Sequence, residues 1–217
     1  MRILVVEDQA FFNAYLMAVC QRSFPGDDVV GVGTIAGARC ELQASRCALM
    51  LLDILLPDGD GFDFSEEAIS LNPILKIVGL SVDCTEYSVH RLCKSPIHVF
   101  VDKNAHSAEI LQQAFRSAMS GTSFYSPSVE IVRRRLNSAN VSFTNRLTCK
   151  EIDVLSLVGM GLSNADIAQK LGVASATVGW HCKELMRRLE LKNRADLVVF
   201  ANKKGFSHLH PFFNDVI

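Results

Sequence analysis

Reactive side chains stand at the ends of four short apolar runs. Glu7 and Asp8 follow Ile3-Leu4-Val5-Val6, Asp53 ends Leu49-Met50-Leu51-Leu52, Ser81 follows Ile77-Val78-Gly79-Leu80, and Lys103 follows Ile97 to Asp102. Apolar runs bounded by Pro and Gly, such as the Pro57, Gly59 and Gly61 segment after Asp53, read as parallel strands covered on both faces. In open α/β sheets, ligand chemistry lies at the carboxyl ends of such strands. Strands wound in parallel would therefore bring three carboxylates, a hydroxyl and an ammonium to one edge. That set suits a phosphoryl group. Carboxylates with few other ligands suit Mg²⁺, which takes oxygen ligands and keeps several waters. The metal and Lys103 would offset the negative charge of an incoming phosphoryl group, with Asp53 as the nucleophile. An Asp that only caps a loop explains one such residue, not the whole set.

The elements that must hold these residues alternate along the chain. Residues 9–21 carry no charge, and Phe11, Phe12, Tyr15, Leu16 and Val19 recur at helical spacing on more than one face, which predicts extra burial or a protein contact. A helix near 62–71, a strand at 74–80, a helix at 85–94, a strand at 97–101 and a helix at 107–119 follow, a five-strand, five-helix pattern. Ile110, Leu111, Ala114, Phe115 and Ala118 make one core stripe on the last of these, and Gly121 terminates it. Gly31-Val32-Gly33 suggests a dinucleotide loop and hence a nicotinamide-dependent oxidoreductase. Its spacing, with Gly37 four residues after Gly33, is wrong for that motif, and it follows the second strand and leaves Glu7, Asp8, Ser81 and Lys103 unexplained.

Residues 1 to about 122 resemble the receiver domain of two-component response regulators. The resemblance implies Asp53 as phosphoacceptor, Glu7, Asp8 and Asp53 as Mg²⁺ carboxylates, and the Leu55 backbone carbonyl as a further metal ligand. Ser81 and Lys103 would bind phosphoryl oxygens, and Phe100 holds the place of the switch aromatic. Two positions depart from the family pattern. Val82 replaces a small residue, which would narrow access to the phosphate, and Asn104 replaces a proline after the lysine.

With 217 residues, nearly half of them apolar, the chain has material for two modest globular domains. No apolar run approaches the roughly 18 residues of a membrane helix, and acidic Glu7-Asp8 argue against a signal peptide, so a soluble, cytoplasmic protein is expected. Seven scattered cysteines without a C-x-x-C pair read as reduced core residues. The net charge of −1 conceals an asymmetry: residues 1–122 carry 9 Lys/Arg against 15 Asp/Glu, and residues 123–217 carry 13 against 8. An acidic half suited to a cation and a basic half suited to a polyanion fit signal-dependent nucleic-acid binding.

From Thr122 to Thr144 the composition turns to Ser, Asn, Pro and Arg133-Arg134-Arg135, a linker with a short helix starting near Pro127 and a solvated basic face. Beyond it, Thr148-x-x-Glu151 is a capping box and Gly159 and Gly161 close its helix. Ser163-x-x-Asp166 caps a second helix, Gly172 makes a tight turn, and Thr177 to Leu191 forms a longer basic helix. That is a helix-turn-helix pattern.

In detail, Leu147-Thr148-x-Lys150-Glu151, Gly161-Leu162-Ser163-Asn164, Ile167-Ala168 and Thr177-Val178-x-x-His181 resemble the LuxR-type DNA-binding domain, and Arg188-Leu189 and Arg194 continue the match. The two resemblances together point to a NarL/FixJ-type response regulator. By similarity Thr177, His181 and Arg188 contact phosphates or brace the helix, Trp180 and Lys183 face base edges, and a helix near 194–203 dimerises. Ala174 replaces the usual Ser cap, with Ser175 expected to take over, and Gly179 stands where Lys is common.

The expectation is an α/β, doubly wound, five-stranded parallel-sheet receiver domain (1–122), a linker (123–143), an all-α helix-turn-helix domain (144–204) and an apolar tail (205–217) that folds back on the receiver or the DNA-binding domain. Function follows as a non-enzymatic transcriptional regulator, switched at Asp53 by a sensor histidine kinase or phosphotransfer protein and acting on double-stranded DNA as a homodimer. The rival within the same fold is a regulator that needs no phosphorylation.

Overall fold

The computed structural model describes residues 1–105, 107–137 and 147–206. Strands β1 (Arg2–Val6), β2 (Asp28–Val32), β3 (Leu49–Asp53), β6 (Lys76–Ser81), β7 (Val99–Asp102) and β8 (Phe124–Tyr125) form one parallel sheet in the order β2-β1-β3-β6-β7-β8. The chain reverses direction across the sheet between β1 and β3, so Glu7-Asp8 and Asp53 flank the topological switch point. The expected five strands are present, and a sixth is added. After the left-handed turn at Gly121 (φ +72°), Phe124 and Tyr125 run beside Val99 and Phe100. Two residues are too few for a period-2 signal, which is why this strand read as linker.

Alternate residues of the central strands feed two core layers. Ile3, Val5, Leu49 and Leu51 pack with Leu16 and Val19 of α1 (Ala10–Ser23) and Leu111 and Phe115 of α5 (Ala108–Ser120). Leu4, Val6, Met50 and Leu52 face α2 (Ile35–Ala44) and α3 (Gly61–Leu71). Two of the three glycines that suggested a dinucleotide loop have packing reasons instead. A side chain on Gly31 would strike Asn13 and Met17 of α1, and one on Gly37 would press at 3.2 Å on Val32 and on Thr34, whose hydroxyl caps α2 by accepting from the Gly37 amide. The short hairpin β4 (Leu55–Leu56) and β5 (Gly59–Asp60) leads into α3, with Asp60 accepting from the Phe62 and Asp63 amides as its cap.

The predicted linker helix is α6 (Pro127–Asn137), which packs on β7 and α4 (Glu86–Leu92). Its basic triplet is partly committed within the chain: Arg133 and Arg134 both pair with Glu130, and Arg133 lies over the Tyr125 ring. The last unit holds α7 (Cys149–Gly159), α8 (Asn164–Leu171), α9 (Ser175–Arg188) and α10 (Arg194–Lys203). Both expected capping boxes form, and Gly172 ends α8 in the left-handed conformation (φ +64°). Ser175 does not take over the cap of α9. It is the first helical residue, and Ala174 at the cap position offers no oxygen.

Gly205 (φ +81°) stops α10 as expected, and Phe206 is fully buried. Its ring stacks on Tyr87 of α4 at 4.6 Å, Lys204 Nζ lies 2.5 Å from Glu86 Oε1, and a side chain on Gly205 would collide with Thr85. The start of the tail thus docks on the receiver, one of the two expected places. Residues 207–217 lie outside the described residues.

Candidate functional site

Asp53 is buried where β3 ends, and its Oδ1 accepts from the Leu55 amide at 3.1 Å. Lys103, at the end of β7, places its ammonium 2.6 Å from Asp53 Oδ2 and 2.6 Å from Glu7 Oε2. Carboxylate oxygens of Glu7, Asp8 and Asp53 lie within 4.8 Å of one another. Burial pushes the Glu7 and Asp53 carboxyls above the ordinary carboxylate range, against the pull of Lys103, and the Asp53 charge raises Glu7 further. Three clustered carboxylates beside one ammonium leave negative charge uncompensated, which is the chemistry of a divalent-cation site.

Ser81 is fully buried at the end of β6, and its hydroxyl accepts from the Asp83 amide at 3.0 Å. Phe100 points inward, fully buried and stacked on Phe62 at 6.0 Å, in space that a side chain on Gly79 across the sheet would fill. The chain thus places Glu7, Asp8, Asp53, Ser81 and Lys103 at neighbouring strand ends, and Phe100 one layer below.

The two family departures touch each other. Asn104 Nδ2 donates to the Val82 carbonyl at 2.9 Å, a bond proline cannot make, tying the loop after β6 to the turn after β7. Val82 itself is half exposed at the rim.

Other side chains complete the pocket. Phe12 presents its ring 5.1 Å from the Lys103 ammonium, shielding it from water; its helical spacing was visible, its cation partner was not. Asp102 accepts from the Asn104 amide and from Ser128 Oγ of α6, anchoring that helix beside the pocket. Arg91 of α4 pairs with Asp60 at 2.5 Å and Asp63 at 2.6 Å and lies over Phe62, so α4 is tied to the segment that follows Asp53. No local pattern marks contacts that far apart in sequence.

On α9, Val178, Cys182 and Leu185 face inward, whereas Ala176, Trp180, Lys183 and Arg187 form an exposed stripe. Thr177 is exposed at the start of the helix. Trp180 is 60% exposed and meets His181 edge-on at 4.9 Å, and the His181 Nδ1 is buried without a hydrogen-bond partner. Arg188 pairs with Glu184 at 2.7 Å and with buried Glu151 at 3.1 Å.

The response regulator receiver domain model matches residues 3–115, more than half the chain, and the model of bacterial regulatory proteins of the luxR family matches residues 145–201. The chain belongs to the response regulators. It joins a receiver domain to a LuxR-type DNA-binding domain in the NarL/FixJ arrangement. This response regulator is 26% identical over 204 residues to the response regulator protein VraR of Staphylococcus epidermidis and, equally, to that of Staphylococcus aureus, covering 92% of this chain and 95% of theirs. It shares its fold with RcsB of Salmonella enterica serovar Typhimurium, solved on a promoter with the phosphomimetic BeF3⁻ (TM-score 0.65, 20% identity, 93% of this chain and 98% of that one). Among the described residues, no helix is long and apolar enough to cross a membrane.

Proposed function

We propose that this response regulator accepts a phosphoryl group on Asp53 and uses it to control binding of double-stranded DNA through α9. The observation that carries the reading is the convergence of Glu7, Asp8, Asp53, Ser81 and Lys103 at four neighbouring strand ends. A Asp53 carboxylate oxygen attacks the phosphorus of a histidine kinase's phosphoimidazole or of a small phosphodonor. The new P–O bond forms as the donor's own bond to phosphorus breaks and the donor's leaving group departs; for the phosphoimidazole that is the P–N bond, and the leaving imidazole is protonated.

Mg²⁺ would be held by Glu7, Asp8, Asp53 and the Leu55 carbonyl and would neutralise charge on the transferring group. Ser81 Oγ and Lys103 Nζ bind phosphoryl oxygens: the Ser81 hydroxyl can donate to one while it still accepts from the Asp83 amide, and Lys103 exchanges its Asp53 partner for another. Phe100 is the aromatic whose packing reports the change.

On the DNA side, Thr177 and His181 act at phosphates, Lys183 and Trp180 at base edges, and Arg188 braces the helix. Domain spans of 1–122, 123–143, 144–204 and 205–217 fit this division of labour, with action in the cytoplasm as a homodimer on paired half-sites. The decisive experiment is labelling with a small phosphodonor and Mg²⁺. The wild type gains one phosphoryl group by intact mass and Asp53→Asn gains none; full labelling of Asp53→Asn overturns the assignment.

A further inference from the structure

Gly179 sits in the interior of the recognition helix with no packing reason to be glycine. Its φ is not left-handed, and an added Cβ would meet only Asn164 Nδ2, at an ordinary 3.5 Å. Glycine there costs helix stability relative to alanine. What a glycine permits, apart from unusual backbone angles, is close approach of another molecule to the bare backbone.

The neighbouring residue is the most exposed large apolar side chain of α9. The Trp180 indole is 60% exposed and meets His181 edge-on, Lys183 follows on the same face, and Arg187 beyond it pairs with Glu184 at 2.6 Å. The Lys183 ammonium beside the indole suits a polyanion as the occupant of this face. In the major groove of DNA, the apolar group displayed by a base edge is the 5-methyl of thymine.

We propose that Gly179 and Trp180 form a seat for a pyrimidine 5-methyl group, the bare backbone letting the helix settle deep enough for the indole to cover it. The inference rests on the DNA-binding reading above and adds the chemistry that the helix selects.

The test uses the full-length protein. A preferred site is selected from a random duplex library, each thymine is then replaced singly by uracil, which removes only the methyl, and dissociation constants are compared. One or two thymines per half-site should each weaken binding about fourfold on replacement, the scale of one buried methyl. 5-Methylcytosine at the same positions should bind better than cytosine, separating the methyl from the rest of the base. In Trp180→Ala the uracil effect should vanish. Gly179→Ala should raise the melting temperature yet weaken site binding, opposite signs that a purely structural role does not give.

Uracil-insensitive binding at every position of a selected site overturns the seat while leaving DNA recognition intact. So does an unchanged uracil effect in Trp180→Ala. A Trp180→Ala variant that alters self-association of the DNA-free protein and not the uracil effect assigns the indole to a protein contact. Failure to select any site removes the DNA reading and the seat together.

Discussion

The two functional regions of this response regulator manage charge in opposite ways. In the pocket at the strand ends, Glu7, Asp53 and Lys103 are all buried and joined by two 2.6 Å contacts, so each charge depends on the others. On α9 the exposed stripe stands in water over an inner stripe that does the packing, and the arginine that matters to the fold, Arg188, reaches inward to Glu151. A buried charged cluster has few tolerable states and is therefore suited to switching. An exposed stripe can change residue by residue at little cost in stability, and Gly179, where the family commonly has Lys, stands beside it.

The largest expected effect is in the pocket. Lys103→Ala leaves Glu7 and Asp53 facing each other without their cation and should destabilise the metal-free protein by about 3 kcal/mol. Urea unfolding with and without Mg²⁺ checks this, because Mg²⁺ should restore much of the loss. Lys183→Ala on the exposed stripe should leave the same unfolding curve in place; equal losses in the two variants would erase the contrast.

Next in size is Arg188→Ala, which leaves the buried Glu151 carboxylate its Thr148 hydrogen bonds but takes away its Arg188 cation, and should cost about 1–3 kcal/mol. Thermal unfolding of the variant measures it. A loss of DNA affinity with no change in stability would instead make Arg188 a phosphate contact.

Between the regions, Phe206 stacked on Tyr87 should contribute about 0.5–1.5 kcal/mol of coupling. A double-mutant cycle of Phe206→Leu and Tyr87→Leu reads that number. Zero coupling would mean that the end of α10 does not hold the receiver in solution. The smallest expected effect is a gain: Ala174→Ser supplies the missing cap of α9 and should stabilise by about 1 kcal/mol.

The pH responses of the two regions also have opposite signs. Glu7 and Asp53 are raised, so the folded state holds their protons more tightly than the unfolded state. Their contribution makes the metal-free protein more stable as pH falls from neutral toward the ordinary carboxylate range. Mg²⁺ competes with those protons, so its affinity should fall over the same interval by calorimetric titration. Glu184 on α9 is instead held down, to about 2, by hydrogen bonds from Arg187 and Arg188; its contribution is present above the ordinary carboxylate range and is lost as pH falls toward 2.

Residue order alone revealed the strand ends and the side chains gathered there, because each of Asp53, Ser81 and Lys103 terminates an apolar run and parallel winding leaves one edge for them. It revealed both capping boxes and the Gly172 turn for the same reason, as local rules with local signals. It did not reveal β8, whose two residues carry no period, or the replacement cap that Ser175 fails to supply. The Asn104–Val82 bond, the Arg91–Asp60 pair and the Phe12 shield over Lys103 also stayed hidden. Each depends on which distant segments the fold brings together, and their partners lie between 22 and 91 positions away. Phe206 was legible only as apolar surface in need of cover.

The most direct test of the account measures affinity for a selected duplex site, with and without a small phosphodonor in Mg²⁺, in the wild type and in Asp53→Asn. Phosphodonor should tighten binding of the wild type and leave Asp53→Asn where it was. Equal responses in both proteins, or none in either, would contradict the claim that the charge state of the buried pocket governs the exposed helix, the latter outcome favouring a regulator that works without phosphorylation.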